Sequence, residues 1–358
     1  MSCPEELGGM AFMFDAAHES TLVGHEVGPY KLFLETIDEE RGAMISGHYV
    51  WPGAKVLAEY LLSLPLPLPP TLNVVELGAG CGLTSLVLYK MFVEASSTSI
   101  STSISTSTST SVLNLSMTDY DPGVLQKAQK NYDLNKTHHC SSLVTNISCD
   151  LLEWGVDFNF SESFPKLSTP TSSPTLNLVI GSDVIYSVEV VEPLMKTISL
   201  LLTNLERSTH QTQTQTQTQT QSQNTTRMIM SQSFAYDSAI ENMLNDCCVK
   251  FDLFRSIISD TFVKGSTNNE NNHKIQMFTV VPKINSIWEH FKSTPDKEMK
   301  YKVVEIARCS ETQERKIVYK ALYGERGVWV RDLSMWLEKV VVDGVEKNRF
   351  NLIELPPS

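Results

Sequence analysis

Apolar and polar positions along the middle of the chain follow two different periods in turn. Short apolar runs of strand length, such as 72–77 and 176–180, precede stretches with apolar residues at helical spacing, such as 83–92 and 189–205. Strands that alternate with helices predict an α/β fold, a mostly parallel sheet with helices on both faces. The seven predicted strands are 72–77, 112–117, 143–148, 176–180, 228–233, 251–257 and 274–281.

The pattern changes on both sides of this region. Two strand-like runs at 21–26 and 31–35 predict a hairpin near the start of the chain. After residue 284 the helical periods stop, and short β-rich runs follow. We therefore predict two domains, an α/β domain at 1–284 and a small β-rich domain at 286–354.

Two low-complexity tracts interrupt the first domain. Residues 96–111 are almost entirely Ser and Thr, and residues 208–226 are dominated by Gln and Thr. Such segments have too few apolar side chains to pack into a core, so we predict that both are disordered and dispensable. Each lies between a helix and the following strand, which predicts a position at the edge of the sheet opposite the ligand.

The charge is unevenly distributed. The 358-residue chain has a net charge of −12, while residues 286–358 contain 13 Lys+Arg and 12 Asp+Glu, so the first part is strongly acidic. An acidic surface argues against nucleic acid as the main partner and suits a protein substrate with a basic surface.

Cysteine usage and hydropathy indicate the cellular compartment of the protein. The seven cysteines include no C-x-x-C pair, so neither a zinc site nor a redox motif is indicated, and an odd, scattered set is typical of a reducing compartment. The first residues contain no basic region followed by an apolar core, so we expect no secretory signal. The apolar run 60–72 is broken by prolines and is too short to span a bilayer. A cytoplasmic or nuclear location is expected, without a membrane segment.

The first domain is organised around the stretch 73–84, which joins a strand to a helix through three glycines. Gly78, Gly80 and Gly82 have the spacing G-x-G-x-G, unlike the G-x-G-x-x-G of nicotinamide-binding loops. Glu76 lies two residues before the first glycine. This combination favours a ligand with a cationic amino-acid end and a ribose over a pyrophosphate. The alternative is an ordinary glycine-rich turn between a strand and a helix.

Two further side chains have alternative interpretations. Asp119 follows the second predicted strand, where an acid accepts hydrogen bonds from both hydroxyls of a ribose. The alternative role, a helix cap before Pro122, suits Asp121 better. Trp51 is either a core anchor or an aromatic wall for a ligand.

Four candidate residues lie at or after the carboxyl ends of predicted strands, and these are Glu76, Asp119, Trp154 and Asp183. Ligands of such sheets bind outside the carboxyl ends of the strands. The sequence therefore predicts that the four residues converge on one edge and form a site there.

The order of these motifs is typical of one known family. Residues 20–284 resemble methyltransferase family 16, a seven-β-strand, Rossmann-like family rich in protein-lysine methyltransferases. The motifs that carry the resemblance are Gly47-x-x-Val-Trp-Pro-Gly-Ala, Glu76-Leu-Gly-Ala-Gly, Thr118-Asp119, Leu152-Glu-Trp-Gly and Asp183-Val-Ile-Tyr186. The stretch 234–237, on the substrate side, departs from the family, which often has an arginine there.

The resemblance implies S-adenosylmethionine as the cofactor and assigns roles to individual residues. The implied cofactor contacts are Trp51, Gly78, Ala79, Gly80, Asp119, Trp154 and Ser182. Glu76 is expected near the methionine end, where an acid faces an ammonium group. Asp183 and Tyr186 are expected to line the acceptor pocket, with Asp183 orienting a lysine ammonium and Tyr186 packing on its alkyl stem. No general base is assigned.

The end of the chain resembles a second family. Residues 286–353 are similar to domain-of-unknown-function family 1653, on the strength of the long motifs 301–312 and 318–331. That family brings no known chemistry, and its aromatic residues form either a core or a binding groove. The fusion suggests a module that positions a substrate or a partner.

The combined prediction is an S-adenosylmethionine-dependent methyltransferase that acts on a lysine side chain of a protein. Two alternatives stay open: methylation of an arginine or a small molecule by the same cofactor site, and a non-catalytic binding protein with a vestigial cofactor site.

Overall fold

The computed structural model describes residues 20–37, 46–64, 68–102, 110–137, 143–169, 173–213, 225–259, 273–342 and 345–356. The strands of the first domain are β1 Thr21–Val27, β2 Tyr30–Thr36, β3 Thr71–Leu77, β4 Ser111–Asp119, β5 Leu143–Leu151, β6 Thr175–Ser182, β7 Thr225–Gln232, β8 Leu253–Ser259 and β9 Lys274–Val280. Its helices are α1 Pro52–Leu62, α2 Leu83–Thr102, α3 Pro122–Asn135, α4 Phe160–Ser163, α5 Val191–Gln213 and α6 Ser238–Lys250. The second domain contains β10 Ile287–His290, β11 Lys300–Arg308, β12 Arg315–Ala321, β13 Val328–Asp332, α7 Leu333–Leu337, β14 Lys339–Val342, β15 Val345–Asn348 and β16 Phe350–Glu354.

A seven-stranded mixed sheet forms the centre of the first domain, with the strand order β5-β4-β3-β6-β7-β9-β8. β3 pairs in parallel with β4 and β6, whereas β9 runs antiparallel to both β7 and β8. The predicted fold class, a mostly parallel sheet with helices on both faces, is confirmed. Parallel pairing brings the ends of β3, β4, β5, β6 and β7 to one side of the sheet, the carboxyl edge.

Both faces of this sheet are buried. Val75 and Leu77 of β3 pack in one cluster with residues of α5 and α6. The alternate positions Leu72 and Val74 pack on the other face with residues of α1 and α2. Successive side chains of a strand point to opposite faces of the sheet. Because both faces are buried, the strand sequences are mostly continuous apolar runs.

A row of amide side chains, three buried and one partly buried, crosses four of the strands at the same level. Asn146, Asn114, Asn73 and Asn177 follow one another across β5, β4, β3 and β6, and three hydrogen bonds of 2.8–2.9 Å join neighbours. The Asn177 amide also donates to Thr226 Oγ1 on β7 at 2.9 Å. We call this row the asparagine ladder. It ties each strand to its neighbour in one register.

The second domain is built on a five-stranded antiparallel sheet with the order β13-β12-β11-β10-β16, and β14 and β15 form a separate hairpin. Its core is mostly aromatic, and the Trp336 and Phe350 rings stack with centroids 3.7 Å apart. The β-rich prediction for this part of the chain is confirmed. Its aromatic residues are largely core, including Tyr301 and Tyr319.

Arg315, the first residue of β12, joins the two domains. Its guanidinium donates hydrogen bonds to the carbonyl oxygens of Cys248 and Leu253 and lies 6.0 Å above the Phe254 ring. Leu253 is the first residue of β8, which runs in the same direction as β7, so this contact lies at the edge of the sheet opposite the carboxyl edge.

Two helices run further than the sequence pattern predicts. α2 reaches Thr102 and α5 reaches Gln213, so both extend into the low-complexity tracts. The prediction that the tracts lack regular structure is therefore wrong for 96–102 and 208–213, and also for residues 111 and 225–226, which begin β4 and β7. A formed helix gains one backbone hydrogen bond for each residue added, and polar side chains do not prevent this. Residues 103–109 and 214–224 of the tracts lie outside the described residues.

Residues 159–174 are polar and contain prolines, which predicts a loop, but a short helix occurs within this stretch. α4 begins after Asn159, whose side chain accepts a hydrogen bond from the Ser161 N–H. Phe160 and Phe164 are buried in the core cluster under this turn. The two apolar positions in an otherwise polar stretch are the signal that the loop prediction overlooked.

Candidate functional site

The glycine loop between β3 and α2 adopts left-handed backbone conformations at three positions. Gly78, Gly80 and Gly82 have φ angles of +60°, +54° and +81°, a region that favours glycine. A Cβ atom at Gly80 would lie 3.3 Å from the Gly47 carbonyl oxygen, and one at Gly78 would lie 3.0 Å from Val184 Cγ1. Both conformation and space therefore require glycine here.

Glu76 is a buried acid directly below this loop. Its Oε2 atom accepts hydrogen bonds from the Ser85 hydroxyl and, at 3.3 Å, from the Ser85 N–H in the first turn of α2. Burial nevertheless raises the pKa of Glu76 to about 7, against the lowering effect of these donors. A carboxyl group in this state gains a strong preference for its charged form when a cation binds beside it.

Asp119 ends β4 and faces the same loop. Its carboxylate accepts from the Gly80 N–H at 3.3 Å and from the Asp121 N–H at 3.2 Å, and burial raises its pKa. The loop is also tied to β4 because the Ala79 N–H donates to the Thr118 carbonyl oxygen at 2.9 Å. Both bonds to Asp119 are long, so the carboxylate retains acceptor capacity for hydroxyl groups.

The N-terminus of α3 is capped by the residue that the sequence assigns to this role. Asp121 Oδ1 accepts from the Gly123 N–H at 2.7 Å and the Val124 N–H at 3.4 Å. The prediction that Asp121 is the cap is confirmed, which leaves Asp119 outside that role.

Asp183 lies directly after Ser182, the half-buried last residue of β6, and has a φ of +52°. Its carboxylate accepts from the Gly53 N–H at 2.8 Å, the Ser233 N–H at 2.6 Å and the Ser233 hydroxyl at 2.8 Å. A side chain at Gly53 would collide with this carboxylate. Asp183 thus fixes the N-terminus of α1 to the ends of β6 and β7, and its role toward an acceptor stays a prediction.

One candidate tryptophan precedes the glycine loop in the sequence, and another follows it. Trp154 is half-buried, and its Cζ2 atom lies 3.4 Å from the position of a Cβ on Gly78. Trp51 is the half-buried N-cap residue of α1, and its ring meets Tyr49 edge to face at 5.6 Å. Pro52 follows at the first helical position, where its missing N–H is no loss.

Two exposed tyrosines form the rim above Asp119. Tyr186 is 61% exposed and Tyr120 is 70% exposed. The pKa of Tyr186 is raised by partial burial and by the neighbouring Tyr120 and Asp119. Tyr186 and Asp119 are therefore close enough for their charges to interact, and the acceptor and ribose roles stay predictions.

Sequence reasoning missed four residues of this region. Gly53 and Ser233 hold Asp183, and Tyr120 lies on the rim. Burial raises the pKa of Asp183, and the buried His273 partly offsets this rise. Ser233 directly follows β7, so its place at a strand end was a usable signal. The Gly53 contact joins residues 130 apart, which no local pattern predicts.

No group of three or more His, Cys, Asp or Glu side chains arranged to hold a metal ion occurs among the described residues. Of the helices in the described ranges, none combines the length and hydropathy needed to span a bilayer.

The mixed seven-stranded sheet thus carries two buried acids beside a glycine loop at its carboxyl edge. Residues 34–229, more than half of the chain, match the family model described as lysine methyltransferase. The chain belongs to the lysine methyltransferase family. Residues 286–352 match the model described as a protein of unknown function, DUF1653, so the predicted fusion is confirmed.

Curated relatives match a smaller part of the chain. The protein N-terminal and lysine N-methyltransferase EFM7 of Cryptococcus neoformans var. neoformans serotype D is 29% identical over 159 residues, in two strains. The match covers 44% of this chain and 44% of the relative, so the chain spans less than half the length of these relatives.

Solved structures resemble each domain. A DUF1653-family protein from Bordetella bronchiseptica is 27% identical and covers 21% of this chain and 92% of that chain, with a TM-score of 0.17. A TehB-like SAM-dependent methyltransferase from Corynebacterium glutamicum is 11% identical and covers 67% and 94%, with a TM-score of 0.35. TYW2 of M. jannaschii in complex with AdoMet is 12% identical and covers 74% and 88%, with a TM-score of 0.33.

Proposed function

We propose that this methyltransferase uses S-adenosylmethionine to methylate a lysine side chain of a protein. The observation that carries the proposal is the pair of buried carboxyl groups, Glu76 and Asp119, on either side of a glycine loop at the carboxyl edge. One is suited to a cationic amino group and the other to a ribose.

The residues at the carboxyl edge fit the proposed cofactor. Its ammonium group would face Glu76, and its ribose hydroxyls would donate to Asp119. The remaining contacts would come from Trp51, Gly78, Ala79, Gly80, Trp154 and Ser182. A Cβ atom at Gly78 or Gly80 would fill the space beside the loop. The glycines therefore allow a ligand to approach the backbone closely. When bound, S-adenosylmethionine supplies a methyl group on a sulfonium that is already a good leaving group.

The protein's own contribution is alignment of the acceptor. A lysine amine has a reference pKa near 10.4, so it must lose a proton before it attacks in line with the leaving group. The exposed Tyr186 and Tyr120 offer faces for the alkyl stem of that lysine at the rim. Asp183 holds α1 and the segment after β7 in position, which sets the shape of the acceptor side.

A second acceptor is the α-amino group at the N-terminus of a protein. The name of the 29% identical relative includes N-terminal as well as lysine methylation. The lower reference pKa of an α-amino group, near 8, makes its neutral form more abundant at neutral pH. The acidic first domain suits either acceptor, because both are cationic before they lose a proton.

The test is incubation of the full chain with cell extract and S-adenosylmethionine that carries a radiolabelled methyl group. A labelled protein band, mapped by mass spectrometry to a lysine or an N-terminus, is the expected result. Asp119→Asn should lose the label, whereas Asp246→Asn, an exposed acid on α6, should retain it. Label in small molecules, in arginine or in no product would contradict the proposal.

A further inference from the structure

The β-rich domain carries a group of cations that the site above does not use. His290 ends β10, and burial together with the charges of Arg349, Arg331 and Lys292 lowers its pKa to about 4. We call His290, Lys292, Arg331 and Arg349 the cationic cluster. The His290 imidazole is neutral at physiological pH, whereas Lys292, Arg331 and Arg349 carry positive charges.

The cationic cluster has more positive than negative charge. Arg349 forms an ion pair with Glu338. Within the described ranges, the ion pairs include no acidic partner for Arg331 or Lys292. Arg331 also lies near the Tyr301 hydroxyl of β11, which is neutral at physiological pH because its pKa is raised. The surplus of charge attracts an anion.

The cluster also has hydrogen-bond donors without acceptors. The Nε atoms of Arg331 and Arg349 are buried and have no hydrogen-bond partner among the described residues. A buried donor left in this state costs about 1–3 kcal/mol. His290 Nδ1 accepts from the Lys292 N–H at 3.3 Å, so the ring proton is on Nε2, which adds a third donor.

Aromatic rings hold these groups in place. Arg331 Cζ lies 5.7 Å above the Phe350 ring, and the His290 ring centroid lies 5.0 Å from that of Phe350. Lys292 Nζ lies 5.6 Å above the Phe291 ring. The cations are therefore ordered before any ligand arrives, which lowers the entropic cost of binding.

We propose that the cationic cluster binds a small oxyanion, a phosphate or a carboxylate group. A guanidinium presents planar N–H donors that match the oxygen atoms of both groups, and charged donors make the stronger hydrogen bonds. Such a group on a partner protein would dock the β-rich domain. The proposal does not depend on the methyltransferase activity.

The test is isothermal titration of the full chain with inorganic phosphate and, separately, with acetate, at constant ionic strength set by sodium chloride. Saturable binding of phosphate alone assigns a phosphate site, and saturable binding of acetate assigns a carboxylate site. Bound anion should also raise the pKa of His290, measured by NMR of the ¹⁵N-labelled histidine ring, because it offsets the neighbouring cations.

Matched variants separate a site from general charge attraction. Arg331→Gln should weaken binding at least tenfold, and Lys292→Gln, an exposed position that leaves the core intact, should weaken it severalfold. Lys320→Gln removes the same charge from an exposed position on β12 and should change the affinity less than twofold. Equal losses in all three variants, or no saturation by either anion, would overturn the proposal.

Discussion

Glu76 links folding to pH. The folded protein keeps its proton up to about pH 7, whereas an unfolded chain releases it near the ordinary pKa of 4.5. The unfolded state therefore binds fewer protons between pH 4.5 and 7, so the free energy of unfolding falls as the pH rises through this window. Glu76 therefore lowers the free energy of unfolding at neutral pH. A buried carboxyl group with this effect is typical of functional sites.

We predict that Glu76→Gln stabilises the protein at pH 8 by about 1–3 kcal/mol and leaves it unchanged at pH 4. The amide oxygen still accepts from Ser85, while the buried charge is gone. Affinity for S-adenosylmethionine should fall at least tenfold, because the ammonium group loses its counter-charge. Urea unfolding at both pH values measures the first effect, with exposed Glu325→Gln as the control. A gain of the same size at both pH values would contradict the sign of the linkage.

Asp119 and Asp121 offer a matched pair two residues apart. Asp119→Ala should weaken S-adenosylmethionine binding at least tenfold, since each charge-assisted hydrogen bond contributes roughly 1.5–3 kcal/mol. Asp121→Ala removes the cap of α3 and should cost about 1 kcal/mol of stability, with affinity within a few-fold of the wild type. Calorimetry on both folded variants decides the assignment. Unchanged affinity in Asp119→Ala would exclude the ribose role.

Asp183 combines a predicted role in methyl transfer with an observed structural one. We predict that Asp183→Ala abolishes methyl transfer, leaves cofactor affinity within a few-fold, and destabilises the fold by about 2–4 kcal/mol because one buried and two partly buried donors lose their acceptor. Ser233→Ala removes one of these donors and should cost about 1 kcal/mol with most activity retained. Turnover and thermal unfolding of both variants test this. Wild-type turnover in a folded Asp183→Ala protein would refute the role in transfer.

At the scale of the strands, the asparagine ladder holds the sheet in register. A shift of β3 by one residue would turn Asn73 to the opposite face and leave Asn114 and Asn177 without their partner. Apolar contacts tolerate small shifts more easily than buried amides do, because unpaired amides are costly. The ladder therefore selects one pairing among several that bury similar apolar area.

We predict that Asn73→Ala lowers the free energy of unfolding by about 2–4 kcal/mol, because two buried amides lose a partner each. Urea denaturation measures the loss, and Asn245→Ala on the exposed side of α6 provides the control. A loss below about 1 kcal/mol would mean that the remaining amides pair with each other or with water.

The sequence pattern predicts the strands and the residues at the carboxyl edge, but not the contacts between distant segments. Alternation of apolar runs and helical periods predicts every strand of the central sheet, and the order of acids and glycines predicts which residues reach the carboxyl edge. The contacts of Asp183 with Gly53 and Ser233 depend on how α1 packs across the sheet, which no local pattern encodes. The ends of α2 and α5 were missed because composition predicts disorder where helix propagation continues.

At the scale of the whole molecule, Arg315 places the β-rich domain at the edge of the sheet away from the candidate site. Its contacts are with Cys248 and Leu253, at the opposite ends of the strands from Asp119 and Asp183. If the β-rich domain binds a substrate protein, that protein must reach around the sheet to present an acceptor at the carboxyl edge. A role in binding a separate partner has no such constraint.

We predict that Arg315→Ala loosens the connection between the domains without changing cofactor affinity, because the contact lies far from the glycine loop. Trypsin should then cleave at Lys283, which precedes β10, several times faster than in the wild type. Arg308→Ala removes an exposed charge on β11 and serves as the control. Cleavage at an unchanged rate would show that Arg315 does not hold the domains together.

The position of β9 between β7 and β8 has a consequence for synthesis on the ribosome. β8 is made first, and in the described part of the chain it pairs with β9 alone. About 20 further residues must be translated before β9 is complete, which takes roughly 1–4 s at 5–20 residues per second. During that interval the apolar stretch Leu253–Ser259 has no strand beside it. The nascent chain is most prone to aggregation, and most in need of a chaperone, just before its sheet closes.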